Sequence, residues 1–104
     1  MDCKVIISPR ALRDLEEIVR YIATDNPSAA RKFGSRLIEE AEAIGAMPQA
    51  GRVVPEFKVP NIRERIFRSF RIVYRVDEDQ RRVVISRFWH GARGTPEYDR
   101  GESA

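Results

Sequence analysis

The sequence predicts an α+β domain in which an antiparallel helix hairpin packs on one face of a mainly antiparallel sheet. Three observations carry this prediction: a short apolar segment comes first, two segments of helical periodicity follow it, and three strand-like segments joined by short turns complete the chain. With 104 residues, 42% hydrophobic and 34% charged, the chain suits one globular domain. We place that domain at residues 1–93 and a polar tail at 94–104.

The first two elements are a strand and a helix. Cys3–Ile7 is rich in β-branched residues and predicts a strand, and Ser8 with the proline after it is a typical helix start. Apolar residues then recur at helical spacing, at Leu12, Leu15, Ile18, Val19 and Ile22. The prediction is a helix over Pro9–Ala23, with Arg10 and Asp14 paired four residues apart on its solvated face.

A second helix follows after about four residues, so the two helices should form an antiparallel hairpin. Asn26 and the next proline repeat the start signal, and the apolar stripe comprises Ala30, Phe33, Leu37, Ala41 and Ile44. Gly34 inside this helix predicts a close approach of the first helix. Gly45 is a candidate C-cap that ends the second helix.

The remainder of the chain predicts a loop and a meander. Met47–Pro60 contains three prolines, which predict a loop. The strands that follow are predicted at Ile62–Arg68, Phe70–Val76 and Arg82–Trp89. In the middle strand the alternating residues that should face the helices are Phe70, Ile72, Tyr74 and Val76. Arg71 and Arg75 should then project from the opposite, solvent-facing side of the sheet.

Positive charge is concentrated in the C-terminal half. Residues 61–93 hold nine arginines against four acidic residues, a balance of 9 − 4 = +5. Such a face would suit phosphates or an acidic protein. Because arginines outnumber lysines sixteen to three, a GC-rich genome would also produce this pattern without selection for binding.

Several classes of protein are disfavoured by what the sequence contains. Its longest purely apolar runs are three residues, far below the roughly 20 that span a bilayer. No basic leader precedes an apolar stretch, and a lone Cys3 permits no internal disulfide, so a cytoplasmic protein without a membrane role is expected. One histidine, one distant cysteine and the lack of a glycine-rich phosphate loop predict no metal or cofactor.

Short stretches along the chain resemble the RelE/ParE superfamily of bacterial toxins over about residues 5–93. The resembling segments are Ser8–Ala11, Asp14–Ile18, Tyr21–Ala23, Asn26–Ala30, Pro48–Arg52, Phe70–Val76 and Trp89–Arg93. The resemblance implies a plasmid- or chromosome-encoded toxin that arrests growth and is neutralised by a tightly bound antitoxin, encoded next to it. The superfamily divides: RelE-like members cut mRNA on the ribosome, whereas ParE-like members are associated with poisoning DNA gyrase.

Ribonuclease chemistry would need a proton acceptor, a proton donor and cations for the phosphorane charge. The resemblance places Arg71 as the main cation, and Arg63 and Arg65, which share a facing, would supply a positive pair on the neighbouring strand. His90 and Tyr98 are the candidates for proton transfer. Guanidinium groups do not exchange protons at neutral pH, so this set is incomplete.

Each candidate also has a purely structural interpretation. Arg71 would be a solvent-side strand residue, His90 a strand-end residue with a local hydrogen bond, and Trp89 a packing residue. The incomplete acid–base set favours a ParE-like inhibitor of gyrase with target contacts at Arg71, Arg75, His90 and Arg93. The alternatives are a RelE-like endoribonuclease and a degenerate, non-toxic member that only binds antitoxin.

Overall fold

The computed structural model describes residues 2–97. Its strands are β1 (Lys4–Ile7), β2 (Arg52–Val53), β3 (Ile62–Phe67), β4 (Phe70–Asp77) and β5 (Arg82–His90), and its helices are α1 (Pro9–Ala23) and α2 (Pro27–Ala43). Short 3-10 turns occupy Ile44–Ala46 and Gly91–Arg93. The predicted helices and strands are confirmed to within two residues at their ends. The two-residue strand β2 was not predicted, because it lies inside the proline-rich loop.

The five strands form one sheet in the order β1-β5-β4-β3-β2. The meander β3-β4-β5 is antiparallel as predicted, whereas β1 pairs in parallel with β5 after the helix hairpin crosses over the sheet. In β5, Val73 pairs with Arg87 but Tyr74 pairs with Ile85, so Ser86 is an extra residue that forms a β-bulge. The bulge lets both Ile85 and Phe88 reach the main core.

Both helices begin where the sequence predicts, because the side chain of the residue just before each helix caps its N-terminus. The Ser8 hydroxyl accepts a hydrogen bond from the Ala11 amide at 3.1 Å, and the Asn26 side chain accepts one from the Ala29 amide at 3.0 Å. At Gly34 an added Cβ would lie 2.9 Å from a methyl group of Val19 in α1. The predicted close approach of the two helices at this glycine is therefore confirmed.

The interpretation of Gly45 as the C-cap of α2 is wrong, because the helix ends at Ala43 and its C-cap is Ile44. The φ angle of Gly45 is not positive, and the chain continues through the 3-10 turn. A Cβ at Gly45 would lie 2.6 Å from the carbonyl oxygen of Cys3 and 2.8 Å from Val5. The glycine is required because the start of β1 crosses directly over it, with the Cys3 amide donating to the Gly45 carbonyl at 2.7 Å.

The sheet is covered on both sides. We call the side that packs against α1 and α2 the helix face; its core includes Leu37, Ile72 and Tyr74, all fully buried, which confirms the predicted facing of β4. We call the other side the loop face. There Val73 forms a second, smaller core with Val54 and other apolar residues of the segment between β2 and β3.

Candidate functional site

Arg71 lies at the centre of an ion-pair cluster on the loop face. Its Nε donates to Glu64 at 2.6 Å, its two terminal nitrogens donate to the two carboxylate oxygens of Glu56 at 2.9 and 2.7 Å, and one of them also reaches the carbonyl of Gly94 at 3.2 Å. Glu64 is itself fully buried and accepts a second ion pair from Arg52 at 2.6 Å. The guanidinium is therefore held by charge-assisted hydrogen bonds on several sides.

This geometry corrects the expectation for Arg71. The residue does project from the face opposite Ile72 and Tyr74, as alternation predicts, but it is buried and not solvent-exposed. The loop residue Glu56 and the backbone of Gly94 close over it. Alternation specifies the face of a strand residue and does not specify what covers that face.

The charges in the cluster stabilise one another. The hydrogen bonds from Arg71 lower the pKa of Glu56 to about 2. Hydrogen bonds to Glu56 and then to Glu64, working against burial, raise the pKa of Arg71 above its usual range. A phosphate approaching Arg71 would have to displace a carboxylate that is already bound.

Arg63 and Arg65 lie on the other face of the sheet from Arg71. Arg63 pairs with Tyr74 and Arg65 with Ile72 in the β3–β4 register, which puts both on the helix face and confirms that they share a facing. Arg65 donates to Glu40 of α2 at 2.9 Å. A terminal nitrogen of Arg63 donates to the carbonyl of Gly51 at 2.8 Å. The sheet thus separates the three arginines proposed to act together.

Tyr74 anchors the loop that follows the helices, a role that sequence reasoning missed. Its hydroxyl donates to the Pro48 carbonyl at 2.8 Å and accepts from the Gly51 amide at 3.2 Å. Burial raises the pKa of the Tyr74 phenol. A Cβ on Gly51 would collide with this hydroxyl. The available signal in the sequence was a tyrosine hydroxyl in an otherwise wholly apolar row, together with a glycine in the loop.

His90 and Arg93 lie at the end of β5 and are exposed. The Nδ1 atom of His90 accepts from the Ala92 amide at 3.1 Å, and its ring meets Phe70 edge to face at 5.0 Å, which matches the local structural interpretation. The Arg93 guanidinium stacks 4.0 Å from the ring centre of Trp89. Trp89 is buried, as expected of a packing residue.

Arg75, the remaining candidate, is half-buried on the loop face. It lines a polar cleft of about 440 Å³ together with Arg63, Asp77 and Asp79. Tyr98 lies outside the described residues. His90 and Arg93, in contrast, border one apolar surface feature in common.

That feature is an apolar groove of about 620 Å³ between α1, α2 and the end of the sheet. Its residues come from both helices, from β4 and β5, and from the turn after β5. They include Ile18, Tyr21, Ile22, Phe33, Phe70, Phe88, His90 and Arg93. Tyr21 at its rim has 82% of its surface exposed. A large aromatic side chain so exposed beside an apolar groove indicates an interaction surface.

Asp14 forms one wall of the groove and corrects another expectation. It is buried, and it pairs with Arg87 of β5 instead of with Arg10 of its own helix. Its carboxylate accepts two hydrogen bonds from Arg87, at 2.7 and 2.9 Å, and one from the Phe88 amide at 3.0 Å. Beyond Ile7, where β1 ends, α1 therefore shields the edge of β5, and Asp14 accepts the hydrogen bond that the Phe88 amide would otherwise lack.

Residues 2–97 lack the features of two other classes of protein. No helix in this range is long and apolar enough to cross a membrane. Nor does this range contain a group of three or more histidine, cysteine, aspartate or glutamate side chains placed to hold a metal ion.

Comparison with known proteins gives matches in family and in fold. Residues 5–94 match the family of ParE toxins of type II toxin-antitoxin systems, parDE. The fold is similar to a chain of the chromosomal ParDE system from P. aeruginosa, with a TM-score of 0.70, 21% identity and coverage of 85% of this chain and 95% of that one. It is also similar to a chain of the RelBE2 toxin-antitoxin complex from Mycobacterium tuberculosis, with a TM-score of 0.66, 21% identity and coverage of 86% and 92%.

A mutant of E. coli toxin RelE in the free state matches with a TM-score of 0.59, 16% identity and coverage of 90% of this chain and 88% of that one. Among curated proteins, none matches the sequence significantly. At these identities the solved structures show similarity of fold alone, whereas the family match extends over residues 5–94, almost the whole domain. This chain belongs to the family of ParE toxins of type II toxin-antitoxin systems.

Proposed function

We propose that this protein inhibits DNA gyrase through protein contacts and that a cognate antitoxin neutralises it by filling the apolar groove. One observation carries the choice of mechanism: the arginines needed for RNA cleavage lie on opposite faces of the sheet. Arg71 binds Glu56 and Glu64 on one face, and Arg65 binds Glu40 on the other. A contact-based inhibitor needs no such assembly.

The chemistry of RNA cleavage supports the same choice. Stabilising a phosphorane requires cations within hydrogen-bond distance of one phosphate, and proton transfer requires groups that titrate near the working pH. Arg71 is fully engaged by its carboxylate partners, and guanidinium groups stay protonated. Histidine is the side chain best suited to proton transfer near neutral pH, and His90 borders the groove on the helix side of the molecule, away from Arg71.

The proposal of an antitoxin rests on the groove and on the similar proteins. The P. aeruginosa and M. tuberculosis structures are described as a toxin-antitoxin system and a toxin-antitoxin complex. The groove is apolar and bordered by helices, which suits the apolar side of an amphipathic segment. Exposed Tyr21 lines the groove, where such a segment would cover it.

The target is tested with the purified full-length chain in two assays. It should block supercoiling by purified gyrase, and mRNA in the A site of translating ribosomes should stay intact. Codon-phased cleavage of that mRNA, without an effect on gyrase, would replace this proposal with the RelE-like endoribonuclease. Inactivity in both assays and in growing cells would indicate the non-toxic, antitoxin-binding member.

The groove is tested with the antitoxin from the adjacent reading frame. Tyr21→Asp introduces a charge at the rim, and because the side chain is already exposed the fold should remain intact. Binding of the antitoxin should weaken at least about tenfold, since a charge would enter an apolar interface. Met47→Asp is the matched control, because Met47 is also exposed but lies outside the groove. Equal binding by both variants would place the antitoxin elsewhere.

A further inference from the structure

Within residues 2–97, three residues other than glycine have a left-handed backbone, and all three are basic. They are Lys58, Arg68 and Arg81, with φ angles of 56°, 54° and 53°. Most residues other than glycine, asparagine and aspartate disfavour this conformation. Arg68 lies in the two-residue turn between the paired residues Phe67 and Phe70, a position where asparagine or glycine is the usual choice.

Arg68 differs from the other two in what surrounds it. Its guanidinium carbon lies 5.3 Å from the ring centre of Phe67, and that of Arg36 in α2 lies 5.2 Å from the same ring. Arg36 is already engaged by Glu39 and Glu40 of its own helix. Among the described residues Arg68 has no ion-pair partner and is exposed, so its charge is available to a partner.

The apolar groove leads directly to this arginine. The ring of Phe33 lies 5.9 Å from that of Phe67 and 5.6 Å from that of Phe70. Phe33 and Phe70 line the groove, whereas Phe67 lies beyond its end. A segment that fills the groove and continues along these rings would therefore reach the tip of the β3–β4 turn.

The charges nearby distinguish between kinds of partner. Glu39 and Glu40 lie beside Arg36, so a long polyanion such as nucleic acid would meet two carboxylates together with the arginines. A single carboxylate on an otherwise apolar protein segment would meet the available guanidinium of Arg68 alone. Local electrostatics thus favour a protein segment with one well-placed acidic residue.

We propose that Arg68 is an antitoxin contact residue, whose guanidinium binds a carboxylate of the segment that occupies the groove. The observation behind this assignment is the place of the guanidinium: it is exposed beside the Phe67 ring, next to the apolar groove. The inference rests on the proposed function in one respect, the presence of antitoxin in the groove.

The test compares Arg68→Asn with the matched control Arg81→Asn. Both variants replace an exposed arginine at nearly the same φ angle by asparagine, which tolerates that angle better than arginine, and the two turns lie at opposite ends of β4. Both should keep or raise the melting temperature of the full-length toxin. Arg68→Asn should raise the Kd for the antitoxin about tenfold, as loss of a charge-assisted hydrogen bond does. Arg81→Asn should leave the Kd within about twofold.

Three outcomes would overturn the inference. Wild-type affinity in Arg68→Asn would remove Arg68 from the interface while leaving the antitoxin proposal intact. Failure of the wild-type toxin to bind the antitoxin would remove the partner, and with it both the proposed occupant of the groove and the role of Arg68. If Arg68→Asn kept its antitoxin affinity but lost binding of a labelled single-stranded oligonucleotide, the contact would belong to nucleic acid.

Discussion

Neighbouring residues on the two faces of β4 are buried by different kinds of interaction. On the helix face, Ile72 and Tyr74 belong to a continuous apolar core. On the loop face, one strand residue away, Arg71 is buried by carboxylates from β3 and from the loop before it. The comparison shows that the burial of neighbouring residues can depend on different interactions: removal of water from apolar surface around Ile72 and Tyr74, and matching of charges around Arg71.

The two kinds of burial should respond differently to substitution. An apolar core loses stability in proportion to the volume removed. A buried ion pair is sensitive to loss of one partner, since the other is left charged without compensation, but replacement of both partners by apolar residues is often tolerated.

Leu37→Ala on the helix face should have the largest effect. Leu37 is fully buried between α2 and the sheet, so we expect a loss of about 3 to 4 kcal/mol in the free energy of unfolding. Leu12→Ala is the control, because Leu12 is 47% exposed. Denaturant unfolding of both variants measures the difference, and similar losses would show that the helix face is not the main core.

Arg71→Met should cost about 3 kcal/mol, somewhat less than Leu37→Ala, because Glu64 would keep Arg52 as a partner. The double variant Arg71→Met/Glu64→Leu should recover most of that loss. Arg75→Met is the matched control on the same strand and face; it should change stability by less than about 0.5 kcal/mol. A loss in Arg71→Met no larger than in this control would restore the expectation of a solvent-side arginine.

Acid should weaken the loop face through Glu56. Its pKa falls from 4.5 to about 2 in the folded protein, chiefly because Arg71 donates to it. Since the folded-state pKa is the lower one, its contribution is complete above pH 4.5 and is lost as the pH falls towards 2. Between these pH values, wild-type stability should approach that of Glu56→Gln, measured by unfolding at each pH. A constant gap would exclude this carboxylate as the titrating group.

Arg65→Gln should have the smallest effect, a loss of less than about 1 kcal/mol. Its ion pair with Glu40 joins the sheet to α2 at the rim of the helix face, where the Arg65 side chain is 39% exposed. Although burial acts to raise the pKa of Glu40, hydrogen bonds from Arg65 and Arg36 keep it below its usual range. Unfolding of the variant and the wild type should differ at low salt and become nearly equal at high salt, because salt screens exposed charges. A difference that salt leaves unchanged would mean that Arg65 stabilises the fold by packing.

Features that depend on neighbours along the chain could be predicted from the sequence. Ser8 and Asn26 cap their helices through amides three residues away, and the alternation in β4 assigns its residues to faces. Gly34 marked the helix contact because a glycine inside a helix weakens it unless a neighbouring element needs the space of the side chain. The order of these elements, with the family resemblance, was enough to predict the fold.

The contacts of the charged residues that the sequence predicts to be exposed depend on how distant segments pack. Asp14 binds Arg87, which is 73 residues away, and not Arg10 on its own helix, because α1 shields the edge of β5 where β1 has ended. Arg71 is buried because a loop and the start of the tail cross a face that alternation leaves open. Local pattern specifies direction, whereas the partner at the end of a side chain is set by packing between distant segments. For that reason the candidate arginines could be chosen from the sequence, but only the structure shows that Arg65 and Arg71 are held in ion pairs, whereas Arg68, which was not a candidate, is exposed.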